Sequence, residues 1–127
     1  MVSLLLDSHV VLWWLTNDVR LGPTARAAIS DATAVWVSAA TAWELEMKRS
    51  RGRLELPGDL VARAEAAGFR WLMISPEHGI RAGRLPSHHR DPFDRMLVAQ
   101  AQDARLTVVT ADRALADYDV EIIEARS

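Results

Sequence analysis

The chain has 127 residues, 50% hydrophobic and 25% charged, with a net charge of -2 and no cysteine. This describes one globular domain, residues 1–127, with enough apolar material for a single core. It excludes disulfides and thiolate metal sites, and the weak negative balance leaves nucleic-acid contact to local basic patches.

Residues 2–6, Val-Ser-Leu-Leu-Leu, form a first strand that reads as buried on both faces, as in a parallel sheet. The apolar run is broken by Asp7 and His9 and is too short for a signal core or a membrane span. A cytoplasmic protein without membrane contact is therefore expected. Residues 10–15 turn helical. Gly22-Pro23 breaks the chain and opens a helix over 24–30. A second buried strand covers 34–37. Ser38 or Thr41 caps the next helix, which runs to Arg51 and stops at Gly52.

Leu56-Pro57-Gly58 reads as a turn, 60–67 as a helix stopped by Gly68, and 71–74 as a third strand. Ser75-Pro76-Glu77 starts a helix that ends near Gly83 or Leu85. After the polar loop Ser87-His88-His89-Arg90, Asp91-Pro92 opens a helix through Ala104. A fourth strand spans 106–109, Thr110-Ala111-Asp112 leads into a helical turn, and 120–123 is a last, edge strand. The alternation predicts an α/β fold with a mainly parallel sheet.

Four acids stand at comparable places: Asp7, Glu44, Asp94 and Asp112. Each has an ordinary explanation. Asp7 and Asp112 can be N-caps. Glu44 can be a solvated helix residue, although Trp43 and Leu45 flank it. Asp94 can be a first-turn acid favoured by the helix dipole, with Asp91 as the cap. Together they converge on the carboxyl edge of a parallel sheet, where open α/β sheets bind ligands. Two unit charges ~4 Å apart cost about 4 kcal/mol at an effective dielectric near 20. Such an edge needs protons or a divalent cation, and oxygen-only donors suit Mg²⁺ or Mn²⁺. An all-carboxylate metal site with open water positions suits phosphodiester hydrolysis. Arg90, Arg95 and the His88-His89 loop surround Asp94 and fit a phosphodiester substrate.

Other uses of strand-end acids fit less well. A receiver domain wants an acidic pair after its first strand and a lysine after a late one. Here Ser8-His9 follows Asp7, and Lys48 is the only lysine. A haloacid-dehalogenase-like phosphatase wants a second Asp where His9 stands.

The stretches 4–15 (Leu-Leu-Leu-Asp-Ser-His-Val-Val-Leu-Trp-Trp-Leu), 37–45 (Val-Ser-Ala-Ala-Thr-Ala-Trp-Glu-Leu), 89–101 (His-Arg-Asp-Pro-Phe-Asp-Arg-Met-Leu-Val-Ala-Gln-Ala) and 108–112 (Val-Val-Thr-Ala-Asp) resemble PIN-domain ribonucleases of the VapC toxin type. They follow that family's order along nearly the whole chain. The resemblance implies a three-layer α/β/α sandwich around a five-stranded parallel sheet. It also implies an Mg²⁺ site of Asp7, Glu44, Asp94 and Asp112, in which Mn²⁺ can substitute, supported by Ser8 and Thr110. Cleavage of structured RNA such as tRNA or rRNA, a VapB-like antitoxin as inhibitor, and a homodimer are further expectations of the resemblance. Arg95, Arg90 and His89 are the residues expected to hold RNA. The alternative is a catalytically silent PIN-fold protein that only binds RNA or antitoxin.

Overall fold

A computed structural model describes residues 2–56 and 58–127. The turn expected at Leu56-Pro57-Gly58 includes Pro57, which lies outside the described residues. Five parallel strands form one sheet: β1 (Ser3–Leu6), β2 (Ala34–Ser38), β3 (Arg70–Leu72), β4 (Thr107–Thr110) and β5 (Ile122–Glu124), in the order β3-β2-β1-β4-β5. The helices are α1 (Ser8–Leu15), α2 (Pro23–Asp31), α3 (Ala39–Ser50), α4 (Leu60–Ala66), α5 (Pro76–Arg84) and α6 (Pro92–Ala104), with a 3₁₀ turn over Arg113–Asp117. The expected three-layer sandwich is what forms.

The central strand shows why. Leu4, Leu5 and Leu6 are all fully buried, and they alternate between two cores. Leu4 and Leu6 pack with Val10 and Val11 of α1, Ile29 of α2, Leu45 of α3 and Ala64 of α4. Leu5 packs on the other face with Leu97, Val98 and Ala101 of α6 and with Leu115 and Tyr118. A strand covered on both faces has no polar side to present, which is why it reads as an uninterrupted apolar run.

Several boundaries differ from expectation. Helix α1 starts at Ser8 rather than residue 10, because Asp7 caps it. Strand β3 occupies 70–72 rather than 71–74; Met73 and Ile74 lie beyond it and are exposed, so their apolarity misled the assignment. Strands β4 and β5 begin one and two residues later than expected. Helix α3 stops where Gly52 takes φ +71°, as anticipated.

Register places the candidate acids. Leu6 of β1 is level with Val37 of β2 and Val109 of β4, so Asp7, Ser38 and Thr110 follow at the same height. The sheet is built outward from β1 in one direction through β2 and β3, and in the other through β4 and β5. The crevice at this switch point is where open α/β sheets hold ligands.

The loop between α5 and α6 is clamped over that crevice. The Arg95 guanidinium donates to the carbonyls of Ala82 (2.8 Å), Leu85 (2.9 Å), Pro86 (3.0 Å) and His89 (3.1 Å). The Tyr118 hydroxyl donates to the Pro86 carbonyl at 2.8 Å and accepts the His89 N–H at 2.9 Å. Arg95 therefore satisfies the carbonyls at the end of α5 and fixes the His89 loop. The terminal guanidinium nitrogens of Arg95, a residue expected to bind RNA, are thus engaged by backbone carbonyls. Arg95→Ala should destabilise the fold by about 2–4 kcal/mol, because hydrogen bonds from a charged group are each worth about 1.5–3 kcal/mol. Arg95→Lys should recover only part of this, lacking the planar fork. Urea unfolding of the three proteins checks both outcomes.

Candidate active site

Asp7 leaves β1 with an extended backbone (φ -76°, ψ 173°) and is 5% exposed. Its Oδ1 accepts the Val10 N–H at 2.9 Å, which caps α1. Its Oδ2 accepts the Thr110 hydroxyl at 2.5 Å, across the β1–β4 boundary. Thr110 Oγ1 in turn accepts the Asp112 N–H at 3.0 Å. Thr110, expected to support the site, thus ties two of the acids together. Ser8 is buried beside Asp7, but among the described residues no hydrogen bond of its hydroxyl to an acid is found.

Glu44 lies in α3, on the buried stripe with Ala40, Thr41 and Leu45, and is 7% exposed. The helix starts because the Ser38 hydroxyl accepts the Ala40 N–H at 3.0 Å; Ser38, not Thr41, is the cap. One turn on, the Lys48 ammonium donates to Glu44 Oε2 at 2.9 Å. The chain's single lysine is thereby assigned to an acid that the core half encloses. Its neighbour Arg49 pairs with exposed Glu46.

Asp94 sits in the first turn of α6, which Asp91 caps through Phe93 N–H at 2.8 Å. Asp112 follows β4 and caps the 3₁₀ turn, its Oδ1 accepting the Ala114 N–H at 3.0 Å. Between Asp94 and Asp112 stands His89. Its Nε2 is 3.1 Å from Asp94 Oδ2 and 2.9 Å from Asp112 Oδ2. Its Nδ1 accepts the Asp91 N–H at 3.0 Å, which places the ring proton on Nε2, facing the two carboxylates. His88, by contrast, is exposed and packs edge-on against the Tyr118 ring at 5.1 Å. Arg90 is exposed on the same loop.

The electrostatics follow from the crowding. Burial lifts the Asp94 carboxyl to about 7, with Asp91, Asp112 and Asp7 pushing the same way against His89. Burial also raises Asp7, opposed by the hydrogen bonds from Thr110 and Val10, with Glu44 adding to the rise. Asp112 is pushed up by burial, but the His89 and Ala114 hydrogen bonds outweigh this and hold it below the usual carboxylate range. His89 is raised, first by its bond to Asp112 and then by the surrounding acids.

Sequence reasoning placed all four acids at one edge, and their mutual influence shows them gathered there. The tightest set of donor atoms differs from expectation, however. Among the described residues, His89, Asp94 and Asp112 offer atoms within 4.8 Å of one another, and Asp7 and Glu44 are not in that set. His89, expected to bind substrate, joins the acids directly. Two adjacent histidines in a loop give no sign of which one turns inward; only the backbone clamp by Arg95 and Tyr118 decides it. Oxygen donors, burial and negative charge that the side chains leave uncompensated fit a divalent cation held among these acids.

The model of the PIN domain family matches residues 4–121. Ribonuclease VapC22 of Mycobacterium tuberculosis is 33% identical over 121 residues, 93% of each chain. Among solved structures, VapBC from Salmonella typhimurium bound to DNA superposes with a TM-score of 0.71 at 18% identity, over 97% of this chain and 98% of that one. VapBC2 from Rickettsia felis, bound to a promoter fragment, gives 0.71 at 10% identity, over 95% and 97%. These two likenesses concern the fold. With the family model spanning nearly the whole chain and a VapC relative matching 93% of it, the chain belongs to the PIN-domain family, on its VapC branch.

Proposed function

We propose that the protein is a divalent-metal-dependent endoribonuclease toxin. Mg²⁺ is the native ion and Mn²⁺ a substitute; the target is structured cytoplasmic RNA such as tRNA or rRNA. A VapB-like antitoxin inhibits it, and it works as a homodimer. The observation that carries this reading is the gathering of Asp7, Glu44, Asp94 and Asp112 at the sheet's switch point, with burial holding Asp94 near 7. Acids in that condition are a cation site in waiting. The membership in the VapC branch supports RNA as the substrate.

A divalent cation bound there supplies the Lewis acidity that acidifies an attacking water and offsets charge on the phosphoryl oxygens. The chain's own residues prepare for it. Asp7 is the most rigid ligand, because Thr110 and the Val10 N–H fix both of its oxygens. Glu44 is held in place by Lys48, whose ammonium also lessens the repulsion of an approaching phosphate. Burial raises the proton affinity of Asp94 in the metal-free protein, so cation binding at neutral pH would expel a proton from it. His89 donates Nε2–H to Asp94 and Asp112 and keeps both oriented. Of the residues expected to hold RNA, exposed Arg90 remains suited to phosphate contact. No helix among the described residues is long and apolar enough to cross a membrane.

Cleavage of bulk tRNA and rRNA should require Mg²⁺ and stop with EDTA. Asp7→Asn and Asp94→Asn should each lower the single-turnover rate by about 100-fold or more, the scale of losing one electrostatic contributor to a transition state. Equal rates for the wild type and both variants would sink the assignment.

The raised Asp94 also sets a pH dependence. In the unfolded chain its carboxyl titrates near 3.8 and in the fold near 7. Between those values the folded state holds a proton that the unfolded state has lost, so stability falls as pH rises through this window. The raised His89 acts in the same direction. Melting of the metal-free protein should therefore fall in temperature from pH 5 to pH 8. Mg²⁺ should restore more at the higher pH, and Asp94→Asn should flatten the slope. A metal-free melting temperature that does not fall with pH would show that the acids are not under mutual strain.

A further inference from the structure

We propose that Trp43, seated against Phe93, is a stacking platform for a nucleobase beside the cleaved phosphate, so that the segment cut is unpaired. This rests on the ribonuclease reading. Trp43 is 66% exposed, whereas the other four tryptophans are buried or half-buried. The residues around it on α3 that face the core are Ala40, Thr41, Glu44 and Leu45. Trp43 is off that stripe and adds nothing to the interior. A large indole left in water calls for a reason beyond folding.

Its position supplies one. Trp43 directly precedes Glu44 on α3, and Phe93 directly precedes Asp94 on α6. The two rings meet edge to face, with centroids 5.0 Å apart and planes at 71°. The aromatic pair thus bridges the two helices that carry these two acids, at the margin of the candidate site. The edge-on contact fixes the indole in advance, so less freedom is lost when a base stacks on it.

Charge favours such a contact. The chain carries a net charge of -2, and its site is built from acids. Arg95 is committed to backbone carbonyls, and Lys48 to Glu44. Both groups are thus engaged within the protein, which leaves phosphate contact to exposed Arg90. Base stacking requires no net charge, is tolerant of sequence, and every base offers a face for it. A paired base hides that face in its helix, which is why the platform selects an unpaired segment.

The probe is intrinsic fluorescence in EDTA, where no cleavage occurs and Trp43 is the indole that solvent reaches most freely. Single-stranded poly(A) should quench the wild type in a saturable way, and the poly(A)·poly(U) duplex should not. Trp43→Ala should bind poly(A) about 10- to 100-fold more weakly by competition, and Trp43→Phe should recover much of that affinity. With Mg²⁺ and bulk RNA, Trp43→Ala should raise KM by a similar factor and alter kcat less. Equal poly(A) affinity in wild type and Trp43→Ala overturns the platform. So does a wild-type dimer that Trp43→Ala turns into a monomer on gel filtration, since the ring then belongs to a contact between copies. A wild type that binds poly(A) through Trp43 but cuts no RNA defeats the ribonuclease reading and leaves the platform standing. Cleavage with unchanged KM in Trp43→Ala does the reverse.

Discussion

Like charge buried at one edge of a sheet is the constraint on which the rest of this structure depends. Carboxylates lose much of their hydration when the core closes around them, and at short range they repel. Several neighbours of these acids answer one of these two costs. Thr110 and the backbone amides at three helix or turn starts donate to Asp7, Asp91 and Asp112. Lys48 meets Glu44, and His89 shares one N–H between Asp94 and Asp112. What these donors leave uncompensated appears in Asp94, which the fold holds near 7.

The same donors explain why capping and site building did not compete. Asp7 was open to two readings, a helix cap or a ligand. It does use one oxygen as a cap, while the other faces Thr110. Asp112 divides its oxygens similarly between Ala114 and His89. A carboxylate has enough lone pairs to serve a helix start and still offer an oxygen to a site. Two of the acids, Asp7 and Asp112, sit at strand-to-helix junctions, because junctions both need caps and lie at the sheet edge. That coincidence made them readable from the chain alone.

Other features were out of reach of periodicity. The parallel α/β class and five strands followed from alternating apolar runs and helix starts, but the end of β3 was set two residues too far because Met73 and Ile74 are apolar and exposed. Glu44 was marked as unusual by its apolar flanks, and the core does enclose it; that one of those flanks, Trp43, turns to solvent follows from helix geometry that a local pattern does not resolve. Arg95 looked like a phosphate-binding cation because it adjoins Asp94. Its true partners are carbonyls six to thirteen residues earlier in the chain. The inward turn of His89 depends on that same long-range clamp and has no local signature.

The strand order also has a bearing on when the protein becomes dangerous to its own cell, if its substrate is RNA. Strand β1 begins at residue 3, yet its second neighbour, β4, ends at residue 110, and Thr110 and Asp112 come with it. A chain emerging from the ribosome can pair β1 with β2 early. It cannot close the switch point until more than 100 residues have been made, because parallel pairing across such a span is formed late and slowly. Asp7 then lacks its Thr110 partner, and the acid cluster lacks its fourth member. Topology thus withholds the completed centre from nascent and truncated chains, and leaves a partner protein nearly the whole period of synthesis in which to be present first.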